Sequence, residues 1–156
     1  MSEITVVDIE PQTVLGVRKQ GRYEEIAMMI VGLFLYAVGR GIQIEGRPIF
    51  VCHEMTPEEA VKAYEEGNAD IEVALPVSGE VEGGDGVECY QLPGGKMAKI
   101  VHKGPYQDCG SAHEKLYAWL DEQGKKLAGP TREVYMNDPR EVPPEEILTE
   151  VYAPIE

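Results

Sequence analysis

Short apolar runs of period-two character, rich in β-branched residues, recur along the chain. They predict strands over 13–18, 48–53, 71–75, 87–92, 97–101, 132–136 and 148–153. Two longer stretches carry helical spacing instead. The first runs from about Tyr23 to Val38 and contains the longest apolar run, thirteen residues from Ile26 to Val38. That is too short to span a bilayer, so it reads as a buried or partner-facing helix. The second places Pro105 in a first helical turn and gathers Cys109, Ala112, Leu116, Trp119, Leu120 and Gln123 on one face, with Gly124 as its stop. Thr56-Pro57-Glu58-Glu59 has the order of an N-cap, an N1 proline and two acids in the first turn, which predicts a short third helix to Tyr64. Pro93-Gly94-Gly95-Lys96 reads as a hairpin turn between 90–92 and 97–101, and Asn137-Asp138-Pro139 as another turn.

The same order of elements occurs twice. VLGVRKQGRY at 14–23 matches MAKIVHKGPY at 97–106, each an apolar run closed by Gly-x-Tyr. Leu35-Tyr36-Ala37-Val38 matches Leu116-Tyr117-Ala118-Trp119, GRPIFVCHE at 46–54 matches GPTREVYMND at 129–138, and IEVALPV at 71–77 matches TEVYAPI at 149–155. The offset is 83 at Gly21 and Gly104 and 78 at Glu72 and Glu150, so a few insertions reconcile the halves. Four matches in one order indicate a duplication. The expected architecture is α+β: one domain over 1–156, built from tandem βαββ repeats at about 1–78 and 87–156. The Gly-rich segment 78–86 joins them. An antiparallel sheet with the two main helices on one face, its halves related by a pseudo-twofold axis, would leave a central cleft as the natural ligand site.

Charge narrows the partners. Twenty-eight acidic residues against 14 basic ones give 156 residues a net charge of −14. Such a chain is repelled by phosphate backbones and by anionic membranes, so neither nucleic acid nor membrane is expected as a direct partner. A cationic small molecule or a basic protein fits better. The acidity is concentrated between Glu54 and Glu88, where eleven acids accompany a single base, Lys62; a solvated surface is the ordinary reason for such a run. Cys52, Cys89 and Cys109 show no CxxC spacing, and no basic-then-apolar leader opens the chain, so reduced thiols and a cytoplasmic location are expected.

Strand phase supplies the candidate chemistry. Leu148, Glu150, Tyr152 and Pro154 share one face of the last predicted strand, and Glu72, Ala74 and Pro76 share one face of its counterpart. Each repeat therefore sets one glutamate in an apolar strand, four residues before a proline. Glu133 and Tyr135 share a face of the neighbouring strand. Were these faces one helix-free surface, carboxylates and phenols would converge on it and form a pocket for a delocalised cation. Open water on an antiparallel sheet is the simpler alternative for the same alternation. Cys109 and His113 stand at i, i+4 but lack a second pair of metal-ligating spacing, so no metal is expected. His53 and His102 fall at strand ends and read as turn residues. No GxSxG or Walker spacing occurs, and no cofactor is expected.

The Gly-x-Tyr before the helix, the Tyr135-x-x-Asp138-Pro139 turn and the final strand 149–155 resemble the GyrI-like effector-binding domains. These also form the drug-sensing halves of AraC- and MerR-type bacterial regulators. The resemblance covers about 4–155 and implies a tandem βαββ fold that binds hydrophobic, often cationic, small molecules. It implies Glu150 as the pocket acid and Tyr135 as a pocket aromatic; helix and strand phase add Trp119 and Tyr152 as lining residues, and the duplication adds Glu72 as a second acid. For a hydrolase of strained cyclopropane compounds it implies Glu150 and Tyr135 as the catalytic pair. Gyrase inhibition, through a protein partner, is the third implied activity. No helix-turn-helix is expected in these 156 residues, and the chain is expected to be a monomer or a homodimer.

Overall fold

The computed structural model describes residues 4–54, 56–79, 83–84, 86–105, 110–137 and 140–155. Tyr106, Cys109, the Asp138-Pro139 turn and part of the segment 78–86 lie outside them. The chain forms two compact units. An N-unit comprises Glu10–Gly94, and a C-unit combines Met1–Ile9 with Gly95–Glu156.

In the N-unit, β2 (Gln12–Gly21) leads through a 3-10 turn at Tyr23–Glu25 into α1 (Ile26–Gly39). Then follow β3 (Ile49–Cys52), α2 (Pro57–Glu66), β4 (Ala69–Pro76) and β5 (Glu88–Leu92). The strand order is β3-β4-β2-β5, antiparallel throughout. In the C-unit, β6 (Gly95–Lys103) is followed by α3 (Gly110–Gln123), β7 (Thr131–Tyr135) and β8 (Leu148–Pro154), and β1 (Thr5–Ile9) completes the sheet. Its order is β7-β8-β6-β1, also antiparallel. The βαββ core is thus present twice, as β2-α1-β3-β4 and β6-α3-β7-β8. Each core has one added edge strand.

The hairpin expected at residues 93–96 is not formed. β5 pairs with β2, and both edges of β6 are taken by β1 and β8. The Gly-containing link carries the chain from one unit to the other, with Gly95 at φ +132°. The pattern on each side of a turn fixes the strands but not their partners. β1, Thr5-Val6-Val7-Asp8-Ile9, is a strand that the opening periodicity did not mark.

Local chemistry accounts for the ends of the helices. Thr56 Oγ1 accepts from the Glu59 amide at 3.1 Å, Pro57 fills the first helical position, and Gly67 leaves α2 at φ +67°. Gly124 closes α3 at φ +65°. The apolar run in α1 buries Leu33, Tyr36 and Ala37, while Met28, Leu35 and Val38 stay exposed. No helix among the described residues is long and apolar enough to cross a membrane. In the C-unit, Ala112, Leu116 and Leu120 of α3 pack on Ala98, Ile100, Val151, Ala153 and Ile155. The alternation along β8 is now explicit: Thr149, Val151 and Ala153 are buried on the α3 side, and the residues between them turn to the other face.

Leu116 is fully buried at the centre of this helix–sheet contact. Leu116→Ala should therefore cost about 2–5 kcal/mol in chemical denaturation. A loss below about 1 kcal/mol would show that α3 is not seated as described.

Candidate functional site

The two glutamates singled out by strand phase occupy equivalent strands of the two units. Glu72 lies in β4 opposite Arg18 of β2 and Val51 of β3; Glu150 lies in β8 opposite Val101 of β6 and Val134 of β7. Directly opposed residues point to the same side of a sheet. Glu150 and Tyr152 therefore face away from α3. Neither glutamate is left in open water: Glu72 is 8% exposed, and the Glu150 side chain 17%.

In the C-unit, the Tyr152 hydroxyl donates to Glu150 Oε1 at 2.7 Å. Lys99, opposite Tyr152 in β6, brings its ammonium to 3.0 Å from Glu150 Oε2 and 5.7 Å from the centre of the Tyr152 ring. Carboxylate, phenol and cation thus form one cluster, with the cation supplied by the chain. Burial first, and then the bond to Glu150, raise the Tyr152 phenol above its ordinary value of 10.0, so it acts as a donor.

In the N-unit the same kind of acid has different company. The Tyr90 hydroxyl, from edge strand β5, donates to Glu72 Oε2 at 2.5 Å, and His53 Nε2 lies 2.6 Å from Glu72 Oε1. Residue 16 must be glycine for this, since a Cβ there would lie 2.0 Å from the Tyr90 hydroxyl oxygen. Arg18 turns to Asp70 in a two-pronged contact of 2.9 and 2.7 Å. A pocket of about 310 Å³ opens beside this cluster, lined by Gly16, Arg18, Glu72, Gly86, Glu88 and Tyr90. Burial, followed by the bond to Glu72, raises the Tyr90 phenol as well.

Two sequence expectations fail on register. Glu133 opposes Val151 and Tyr135 opposes Thr149, so both face α3. There Glu133 accepts from Tyr135 at 3.1 Å and lies 2.8 Å from His113 Nε2. Tyr135 therefore does not converge with Glu150. Trp119 packs against the Ile100–Val151–Ala153 cluster, also on the helix side. His53, expected as a turn residue, holds Glu72; His102 Nε2 meets the Pro105 carbonyl oxygen at 3.1 Å. Strand phase did not reveal Tyr90, His53 or Lys99. Tyr90 carries a signal in hindsight, because it sits at period two between Glu88 and Leu92, opposite a strand that contains a mid-strand glycine.

Two titrations check these clusters. Asp70 is held below its ordinary 3.8, chiefly by the hydrogen bond from Arg18. It thus adds stability above pH 3.8 that disappears as the pH falls through its lower folded value. Thermal melts of wild type and Asp70→Asn should differ at neutral pH and converge in acid; a constant gap would contradict the pairing. In an alkaline ultraviolet titration of the eight tyrosines, Glu72→Gln should bring the Tyr90 step down, because the lost carboxylate no longer favours the neutral phenol. An unshifted Tyr90 step would separate the two residues.

The chain matches the model of the GyrI-like small molecule binding domain over residues 2–156. No curated protein matches it. Among solved structures, the C-terminal domain of EcmrR superposes with a TM-score of 0.88 at 19% identity, covering 100% of this chain and 98% of that one. The chain spans 57% of the longer EcmrR chain seen in complex with DNA. A Listeria innocua hydrolase encoded by lin2189 gives 0.71 at 12% identity, covering 99% and 92% of the two chains. SAV2435 bound to tetraphenylphosphonium gives 0.58 at 14%, covering 99% and 94%. At such identities the likeness is one of fold. With the family match over nearly the whole length and the duplicated βαββ topology, the chain belongs to the GyrI-like small molecule binding domain family.

Proposed function

We propose that this chain binds hydrophobic or cationic small molecules, for effector sensing or sequestration, through the acid–phenol clusters of its two units. Glu150 with Tyr152 and Glu72 with Tyr90 are the groups that would meet a ligand. The observation that carries this reading is the repeated placement of a shielded glutamate beside a phenol, away from bulk water. A carboxylate in that setting acts on a cation through a lower local dielectric than water, and the aromatic ring adds its quadrupole. The Lys99 ammonium, seated against both Glu150 and the Tyr152 ring, exemplifies the chemistry such a cluster accepts. The tetraphenylphosphonium held by SAV2435, a protein of the same fold, supports an organic cation as the ligand class. The net charge of −14 favours its approach.

The hydrolase alternative implied Glu150 and Tyr135 as a catalytic pair. Those residues lie on opposite faces of the C-unit sheet, so the pair has no geometric support. We therefore favour binding over turnover.

Tetraphenylphosphonium titrated into wild type should bind, read by calorimetry or by the fluorescence of the single tryptophan. Glu72→Gln/Glu150→Gln should weaken binding by about tenfold or more, as expected for lost charged contacts. Equal affinity in the two proteins would remove both carboxylates from the function.

A further inference from the structure

The duplication allows the two clusters to be compared position by position. Two residues beyond each glutamate, Ala74 of the N-unit corresponds to Tyr152 of the C-unit. Their cross-strand partners are Gly16 and Lys99. The C-unit thus fills the space beside its glutamate with a phenol and an ammonium of its own. The N-unit has a methyl group and a hydrogen at those positions. Its phenol comes instead from the edge strand, lying over Gly16 to reach Glu72. The pocket of about 310 Å³ opens next to it.

The charges differ in the same sense. Lys99 stands 3.0 Å from Glu150, so a ligand cation there would have to displace a tethered one. At Glu72 the matching carboxylate oxygen meets a ring nitrogen of His53 at 2.6 Å rather than an alkylammonium, and Arg18, opposite Glu72 in the sheet and part of the pocket wall, forks onto Asp70. Glu88 adds a second carboxylate to the pocket wall. By sequence the N-unit carries fifteen acidic and six basic residues, the C-unit thirteen and eight.

We infer that the cation site of this chain is the Glu72 pocket of the N-unit, and that Lys99 acts as a built-in occupant that closes the equivalent place beside Glu150. The inference rests on the cation-binding reading above and narrows its two candidate clusters to the one in the N-unit. Lys99 indicates the chemistry: an alkylammonium 3.0 Å from the carboxylate and 5.7 Å from the centre of an aromatic ring. The pocket volume lies at the low end for ligand sites, so a compact aryl- or alkyl-ammonium is the probe that fits it most fully. Within the pocket, Glu72 supplies charge, the Tyr90 ring supplies π-surface and Gly16 keeps the ring in place.

The test is backbone amide shift mapping on the full ¹⁵N-labelled chain with phenethylammonium as the probe. In wild type, the amides of Gly16, Gly86 and Tyr90 should move, and Glu72→Gln should weaken the response by about tenfold. Lys99→Met, a variant that leaves the N-unit untouched, should add a second set of shifts around Glu150 and Tyr152. Wild-type shifts centred on Glu150 and Tyr152, or no second set in Lys99→Met, would overturn the inference while leaving cation binding intact. No shifts in either protein would overturn the cation reading itself, and the inference with it.

Discussion

A carboxylate in the middle of an otherwise apolar strand has to be held by something other than water. Burying it unpaired would cost several kcal/mol, and the chain meets that constraint in both repeats by setting a phenol against it. Tyr152 reaches Glu150 from two residues along the same strand; Tyr90 reaches Glu72 from the edge strand across a glycine. The second carboxylate oxygen then takes a lysine in one unit and a histidine in the other. Both phenols are driven above their ordinary value by burial and by the acid they bond, so each stays a donor at neutral pH. The outcome is a fixed negative charge with a firm hydrogen-bond mate, the carboxylate set on an inner strand of each unit, β4 or β8.

The rest of the fold serves that placement. In the C-unit, α3 covers one face of the sheet through Leu116 and Leu120 and leaves the Glu150 face to other contacts. In the N-unit, Phe50 opposes Val73 on the face away from Glu72 and meets Tyr23 edge-on at 6.4 Å just before α1. Duplicated backbones with divergent fillings make two kinds of site from one plan. Large side chains at Lys99 and Tyr152 complete one cluster internally. Small ones at Gly16 and Ala74 leave the other beside a pocket.

Most of the elements were legible in the sequence because they depend on local rules: period two for strands, cap and stop residues for α2 and α3, and a repeat that matched four segments in order. The faces of β8 and the equivalence of Glu72 and Glu150 were legible for the same reason. What the sequence withheld is register. β7 and β8 each display a clean alternation, but their relative phase decides whether Tyr135 joins Glu150 or turns to α3, and one residue of slip reverses the answer. It turns to α3, where its hydroxyl donates to Glu133, which in turn meets His113. Trp119 followed from helix spacing that also fits a core contact, and core is where it lies. The partners of Glu72 are His53, just past β3, and Tyr90 of β5, 19 and 18 residues away in sequence, and no local pattern ties them together.

The most direct measurement is a crystal structure of the chain soaked with an organic cation carrying an anomalous scatterer, such as a bromophenyl ammonium. The account predicts anomalous density within contact distance of a mid-strand carboxylate and the face of a tyrosine ring. A peak on the helix-covered side of a sheet, or at neither glutamate, would contradict it.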